Sequence, residues 1–146
     1  MIARFLLAGA ALLGLIAAAP RDDVVGAWSF KTASFDGGCV MTGTLVVLPG
    51  DAQGHHVCRL TTMEVCPRIK GGAEESCDLT SADGAVTITS TITRGPAPPS
   101  GNGPGPAYEP DNFTLKLETA ARMSGKLHSG GGAGSVVFFR GPGAVS

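Results

Sequence analysis

The 146-residue chain predicts an all-β protein: one eight-stranded, up-and-down antiparallel barrel stapled by disulfides. Three observations carry that prediction. Apolar and β-branched residues alternate with polar ones, and no window sustains the 3.6-residue period of a helix. Gly, Pro, Asp and Asn interrupt the alternation at short intervals, leaving room for strands and tight turns only. Four cysteines, at 39, 58, 66 and 77, form an even set that reads as a disulfide framework.

Taken in order, residues 1–19 have the layout of a signal peptide. Arg4 is the basic head, Phe5 to Ile16 the apolar centre, and Ala17-Ala18-Ala19 the small-residue cleavage zone. The apolar run, about 15 residues, is shorter than the roughly 20 that span a bilayer. Pro20 disfavours cutting after Ala19, which places cleavage at Ala18 or close by. No cysteine lies near that point, so no lipid anchor is expected. Residues 20–146 then form a single domain, entered through the linker Pro20-Arg21-Asp22-Asp23.

The strands are expected at 25–33, 40–48, 55–65, 73–80, 85–94, 112–118, 122–129 and 135–140. The first opens on Gly26-Ala27-Trp28-Ser29-Phe30 and holds the only tryptophan. Strand 55–65 carries a mixture on both faces. In 85–94, Val86, Ile88 and Ile92 share one face and threonines fill the other, as a half-buried strand requires. Phe113, Leu115 and Leu117 repeat the pattern against Thr114, Lys116 and Glu118. Leu48-Pro49-Gly50-Asp51 and Ala82-Asp83-Gly84 are hairpin turns, because Gly and Asp tolerate positive φ.

Two connections differ. Residues 95–110 form a Pro/Gly tract too long for a compact hairpin, read as a linker, with a lid or partner-binding loop as the sharper alternative. Tyr108, the sole tyrosine, is the bulky side chain able to anchor it. Residues 129–134 are a glycine-rich run expected at a flexible loop tip. Two echoes, Met41-Thr42-Gly43-Thr44-Leu45 and Met123-Ser124-Gly125-Lys126-Leu127, place glycine in mid-strand, where it marks a bulge or sharp bend.

Short loops pair sequential strands in antiparallel order, and closure removes exposed edges. With Gly26-x-Trp28 opening the first strand and Arg140 ending Val137-Phe138-Phe139-Arg140 in the last, the arrangement resembles the calycins, the lipocalin and avidin barrels. That resemblance implies a tryptophan on the barrel floor with a late-strand arginine packed across it. A guanidinium over an indole is a favourable cation–π contact, and it is able to cap backbone carbonyls as well. Small secreted metalloprotease inhibitors of bacteria are also similar in their Gly-x-Trp strand and early disulfide.

Of the three connectivities open to four cysteines, the meander favours Cys39–Cys66 with Cys58–Cys77, because those partners lie at matching ends of neighbouring strands. Closure of Cys66 onto Cys77 is the rival.

Setting Arg4 aside leaves ten basic against twelve acidic side chains, a formal balance of −2 with no basic cluster. That excludes nucleic acid as a partner and gives no attraction to anionic lipid. His55-His56-x-Cys58 is the one metal-like cluster. Adjacent strand residues face opposite ways and Cys58 is expected oxidised, so no metal or other cofactor is expected and the stretch reads as a solvated hairpin shoulder. His128 is expected to point outward, and Asp78 and Asp83 to cap a turn. No nucleophile elbow, His-Glu-x-x-His, phosphate loop or Cys-x-x-Cys occurs, which argues against an enzyme.

The leader, the cysteines and an Ala/Gly/Pro-rich composition point to the periplasm or exterior of a bacterium. The expected function is binding of an apolar small ligand, lined by Phe30, Ile88, Ile92, Phe113, Leu115 and Phe138. A protein-binding module such as a secreted protease inhibitor, or a structural envelope protein without ligand, are the alternatives.

Overall fold

A computed structural model describes residues 24–50, 52–96, 108–130 and 132–141. The expected leader, its linker and most of the Pro/Gly tract lie outside the described residues. Eight strands follow in order: β1 (Gly26–Thr32), β2 (Val40–Val47), β3 (His55–Val65), β4 (Lys70–Ala82), β5 (Ala85–Arg94), β6 (Asn112–Thr119), β7 (Arg122–Ser129) and β8 (Gly132–Arg140). Each pairs antiparallel with its neighbour in sequence, and β1 pairs with β8 to close the barrel. The architecture is the one expected from alternation and turn chemistry.

Local sequence explains the hairpins. Asp83 and Gly84 hold φ of 51° and 80° between the paired Ala82 and Ala85. Two successive left-handed residues are what a two-residue turn needs to match strand twist. Two strands run longer than expected, because glycine here extends strands instead of ending them. β4 begins at Lys70, with Gly71 and Gly72 already paired to Glu64 and Met63. A Cβ at Gly72 would stand 2.7 Å from the Thr62 carbonyl oxygen, so the missing side chain is what permits the approach. β8 begins at Gly132, and Gly134 pairs with Leu127. Phe35, from the β1–β2 loop, lies against Gly134, where a Cβ would come within 3.1 Å of its ring. The glycine run is therefore largely strand, and Ser129 is already paired with Gly132.

The mid-strand glycines shape the bore. Met41 and Leu45 on β2, and Met123 and Leu127 on β7, are fully buried and face inward. Gly43 and Gly125 stand between them on the same face. A Cβ at Gly43 would sit 2.1 Å from the Thr61 carbonyl oxygen and 2.5 Å from the Phe30 ring. At Gly125 it would sit 2.1 Å from the Thr114 oxygen. Both strands bend close to a neighbour at these points, as a small barrel requires.

Trp28 closes one end. Its indole N–H donates to the Val24 carbonyl at 2.9 Å, and the Arg140 guanidinium lies 4.1 Å from the ring centroid. Arg140 also donates to the carbonyls of Val25 and Ala120. Gly26 has φ of +124°, and a Cβ there would meet Arg140 at 2.9 Å, so the Gly-x-Trp spacing serves the arginine as much as the tryptophan.

The disulfides are Cys39–Cys66 and Cys58–Cys77, the favoured connectivity. The first ties the β1–β2 loop to the β3–β4 loop at the end opposite Trp28. The second joins directly opposed residues of β3 and β4, with Cα atoms 4.8 Å apart, and both its cysteines are buried in the core.

Candidate functional site: a buried polar cluster in the barrel mouth

On β3, β4 and β5 an apolar inward position at mid-strand is followed, toward the end opposite Trp28, by a polar one. On β3, Leu60 gives way to Thr62; on β4, Cys77 precedes Glu75 toward the mouth; on β5, Ile88 gives way to Ser90. Alternation alone sets this, since residues two apart share a face. Asp111 enters from the segment leading into β6. Glu75 is 2% exposed, Asp111 0% and Ser90 6%, so the groups are withdrawn from solvent.

Hydrogen bonds fix their orientation. The Asp111 backbone N–H donates to Glu75 Oε2 at 3.1 Å, and the Tyr108 hydroxyl donates to Asp111 Oδ2 at 2.8 Å. Tyr108 also meets the Thr62 hydroxyl at 3.1 Å. The Ser90 backbone N–H donates to Asn112 Oδ1 at 2.9 Å. Three oxygens are left over: Glu75 Oε1, Asp111 Oδ1 and Ser90 Oγ have no hydrogen-bond partner among the described residues outside the trio, within which the Asp111 and Ser90 side chains interact with the Glu75 carboxyl.

Electrostatics follow from the burial. The Glu75 carboxyl is pushed up to about 8, first by loss of water, then by the hydrogen-bonding and like-charged Asp111 carboxyl beside it. Burial is the main cause holding the Tyr108 hydroxyl above its ordinary range, with Asp111 and Glu75 adding to it. Glu64, on β3 nearer the rim, is raised by burial and then by Asp111 and Asp36. Glu75 therefore keeps its proton at neutral pH, because a second buried charge beside Asp111 is too costly.

The wall beside this cluster is weakly sealed. β5 and β6 share four paired positions, Ala85 to Ile88 against Lys116 to Phe113, the shortest ladder of the barrel. Beyond Ile88 the edge of β5 turns to side chains for partners, Asn112 at Ser90 being the one described above. The cluster thus sits behind a seam.

Of the six residues expected to line a ligand, Phe30, Ile88, Phe113, Leu115 and Phe138 are buried in the core, and Ile92 is half-buried near the mouth opposite Glu75. Phe30 stacks on Phe138 and both meet Phe113 edge-on, with centroids 4.8 to 5.4 Å apart, so side chains fill that level of the bore. Thr62, Glu75, Ser90, Tyr108 and Asp111 were not among the expected site residues. The signal was present: Glu75 is in phase with Cys77, and Ser90 lies between Ile88 and Ile92 on the buried face.

The histidines divide as adjacent strand residues must. His55 is exposed, but His56 is buried with Nδ1 3.2 Å from the Leu48 carbonyl, so that stretch is not a solvated shoulder. His128 faces outward beside Thr114. Asp78 is an exposed strand residue paired with Val57, not a turn cap. Cys39, Glu64 and Cys66 come together, yet both sulfurs are spent on the disulfide, leaving one carboxylate for any metal. A surface cleft of about 350 Å³ lies at the Trp28 end, lined by residues including Pro49, Ala52, His55, Val57 and Leu79.

No protein-family model matches the chain, and no curated protein matches it. Solved structures do. A de novo designed fluorescence-activating β-barrel is similar over 80% of this chain and 93% of its own, at 15% identity and a TM-score of 0.58. A barrel solved bound to DFHBI is similar over 82% and 94%, at 9% identity and a TM-score of 0.60. A redesigned barrel, also bound to DFHBI, is similar over 81% and 99%, at 9% identity and a TM-score of 0.56. At such identities the likeness is one of fold.

Proposed function

We propose that this protein is a binding barrel, not an enzyme, and that it takes a small organic ligand at the polar end of its bore. The observation that carries the reading is the set of three buried oxygens on Glu75, Asp111 and Ser90 that have no partner beyond one another among the described residues. A buried acceptor without a donor costs about 1–3 kcal/mol, and a barrel this small has little stability to spare. Ligand recognition gives those groups a reason to be there. Apolar residues around a few convergent polar groups is the usual composition of a small-molecule site. The binding of DFHBI by similar barrels supports the idea that this architecture accommodates such a guest. The likeness to calycins, resting on Gly26, Trp28 and Arg140, supports it as well. Two disulfides suit an oxidising compartment, and with the leader they support secretion or the periplasm as its location.

A thermal-shift screen against small cationic, anionic and neutral amphiphiles tests this. Hits should raise the melting temperature and protect amides of β4, β5 and β6 from hydrogen exchange. A screen without hits, or hits that protect other strands alone, would overturn the assignment. A second reading, protein recognition, is favoured by exposed Val46, Leu48 and Val57 next to the surface cleft; it predicts instead that substitutions there abolish capture of a partner.

A further inference from the structure

The chemistry of the mouth cluster narrows what the ligand is, on the reading that the barrel binds one. Each carboxyl already spends one oxygen on a fixed internal donor: Glu75 Oε2 on the Asp111 N–H, and Asp111 Oδ2 on the Tyr108 hydroxyl. Those bonds hold both groups in place before anything binds. What remains is two carboxyl oxygens and one hydroxyl, all withdrawn from water, converging on one another and with no partner beyond the trio among the described residues. Among the described residues neither carboxyl has a lysine or arginine partner there: the ion pairs Arg94–Glu74 and Arg122–Glu118 lie elsewhere, on the surface. Groups facing the pair from neighbouring elements are Thr62 and Glu64 on β3, Ser90 on β5 and Tyr108, none of them cationic.

We propose that the Glu75–Asp111–Ser90 cluster binds the protonated amino group of a small organic amine, whose three N–H donors meet Glu75 Oε1, Asp111 Oδ1 and Ser90 Oγ. A carboxylic acid or phosphate is excluded by charge, and a neutral alcohol leaves acceptors unfilled. Calcium asks for six to eight oxygens, more than this cluster supplies. The amine's carbon body would lie along Ile92, half-buried at the seam between β5 and β6. Binding balances in protons: the ammonium enters, the Glu75 proton leaves to solvent, and Glu75 becomes charged against the cation.

The full chain is titrated with n-hexylamine, n-hexanol and sodium hexanoate at pH 7, following the melting temperature. Heat is also measured in two buffers of different ionisation enthalpy. Hexylamine should stabilise most and release up to one proton per molecule bound, whereas hexanol and hexanoate release none. Glu75→Gln should weaken hexylamine at least tenfold, and Ser90→Ala, the milder change, several-fold. Equal stabilisation by hexanol, or hexylamine binding without proton release, would overturn the amine assignment and leave the binding barrel standing. Stabilisation by calcium chloride alone would replace the amine with a metal. No response to any of the three, with a blank screen as above, would remove both readings.

Discussion

The proton held by buried Glu75 makes stability depend on pH with a sign unusual for a carboxyl. Glu75 is raised to about 8 in the fold from an ordinary value of 4.5. Between those values the folded chain keeps a proton that the unfolded chain has released. Stability from this group is therefore fullest below about 4.5 and falls as pH rises to about 8, by at most roughly 1.4 kcal/mol per pH unit. Glu75→Gln should remove that slope. Urea midpoints of parent and variant at pH 5 and pH 9 check it, the gap between them reversing in favour of the variant at the higher pH; parallel behaviour would mean that Glu75 is not protonated. At the other end, Trp28→Ala removes a buried indole, its bond to Val24 and the platform for Arg140. A loss of about 3–5 kcal/mol is expected, read from the denaturation midpoint.

Among the elements, β2 and β7 are the ones bent by glycine. Gly43→Ala and Gly125→Ala each drive a methyl into a neighbouring strand's backbone, at 2.1 Å from a carbonyl oxygen. Each should cost about 1–3 kcal/mol, as overpacking does, whereas Thr89→Ala on the outer face of β5 should change stability by less than about 0.5 kcal/mol. The two disulfides should also part ways under mild reductant. Cys66 is half-buried between two loops, while Cys58 and Cys77 are inside the bore; alkylation mapping should find Cys39–Cys66 open first. Strand order, hairpins and cysteine pairing were legible in the sequence because period-two alternation and Asp-Gly turns act locally. The polar cluster was not. Glu75 and Ser90 each look like one polar residue in a mixed strand, and only the register of β4 with β5 and the approach of Asp111 bring them together. Gly132 and Gly134 misled for a related reason, since Asp36 and Phe35, which lie against them, are distant in sequence.

For the molecule as a whole, the barrel is fastened by contacts far apart along the chain. β1 meets β8, Gly141 donates its N–H to the Ala27 carbonyl at 2.9 Å, and Ser29 Oγ donates to the Gly141 carbonyl at 3.0 Å. Non-local pairing of this kind slows folding, and its geometry carries another consequence. Residues 24 and 141 lie close enough to be joined by a linker of about four to six residues. The strand sequence is therefore cyclic, with no strand obliged to come first. A circular permutant joined there, and opened within residues 97–107, would begin at β6 and end at β5. It should fold with both disulfides intact and bring new chain ends to the β5–β6 seam. Non-reducing mass spectrometry and a denaturation curve check the outcome. A permutant that stays unfolded would mean that continuous chain across the seam, more than the ladder itself, holds those two strands together.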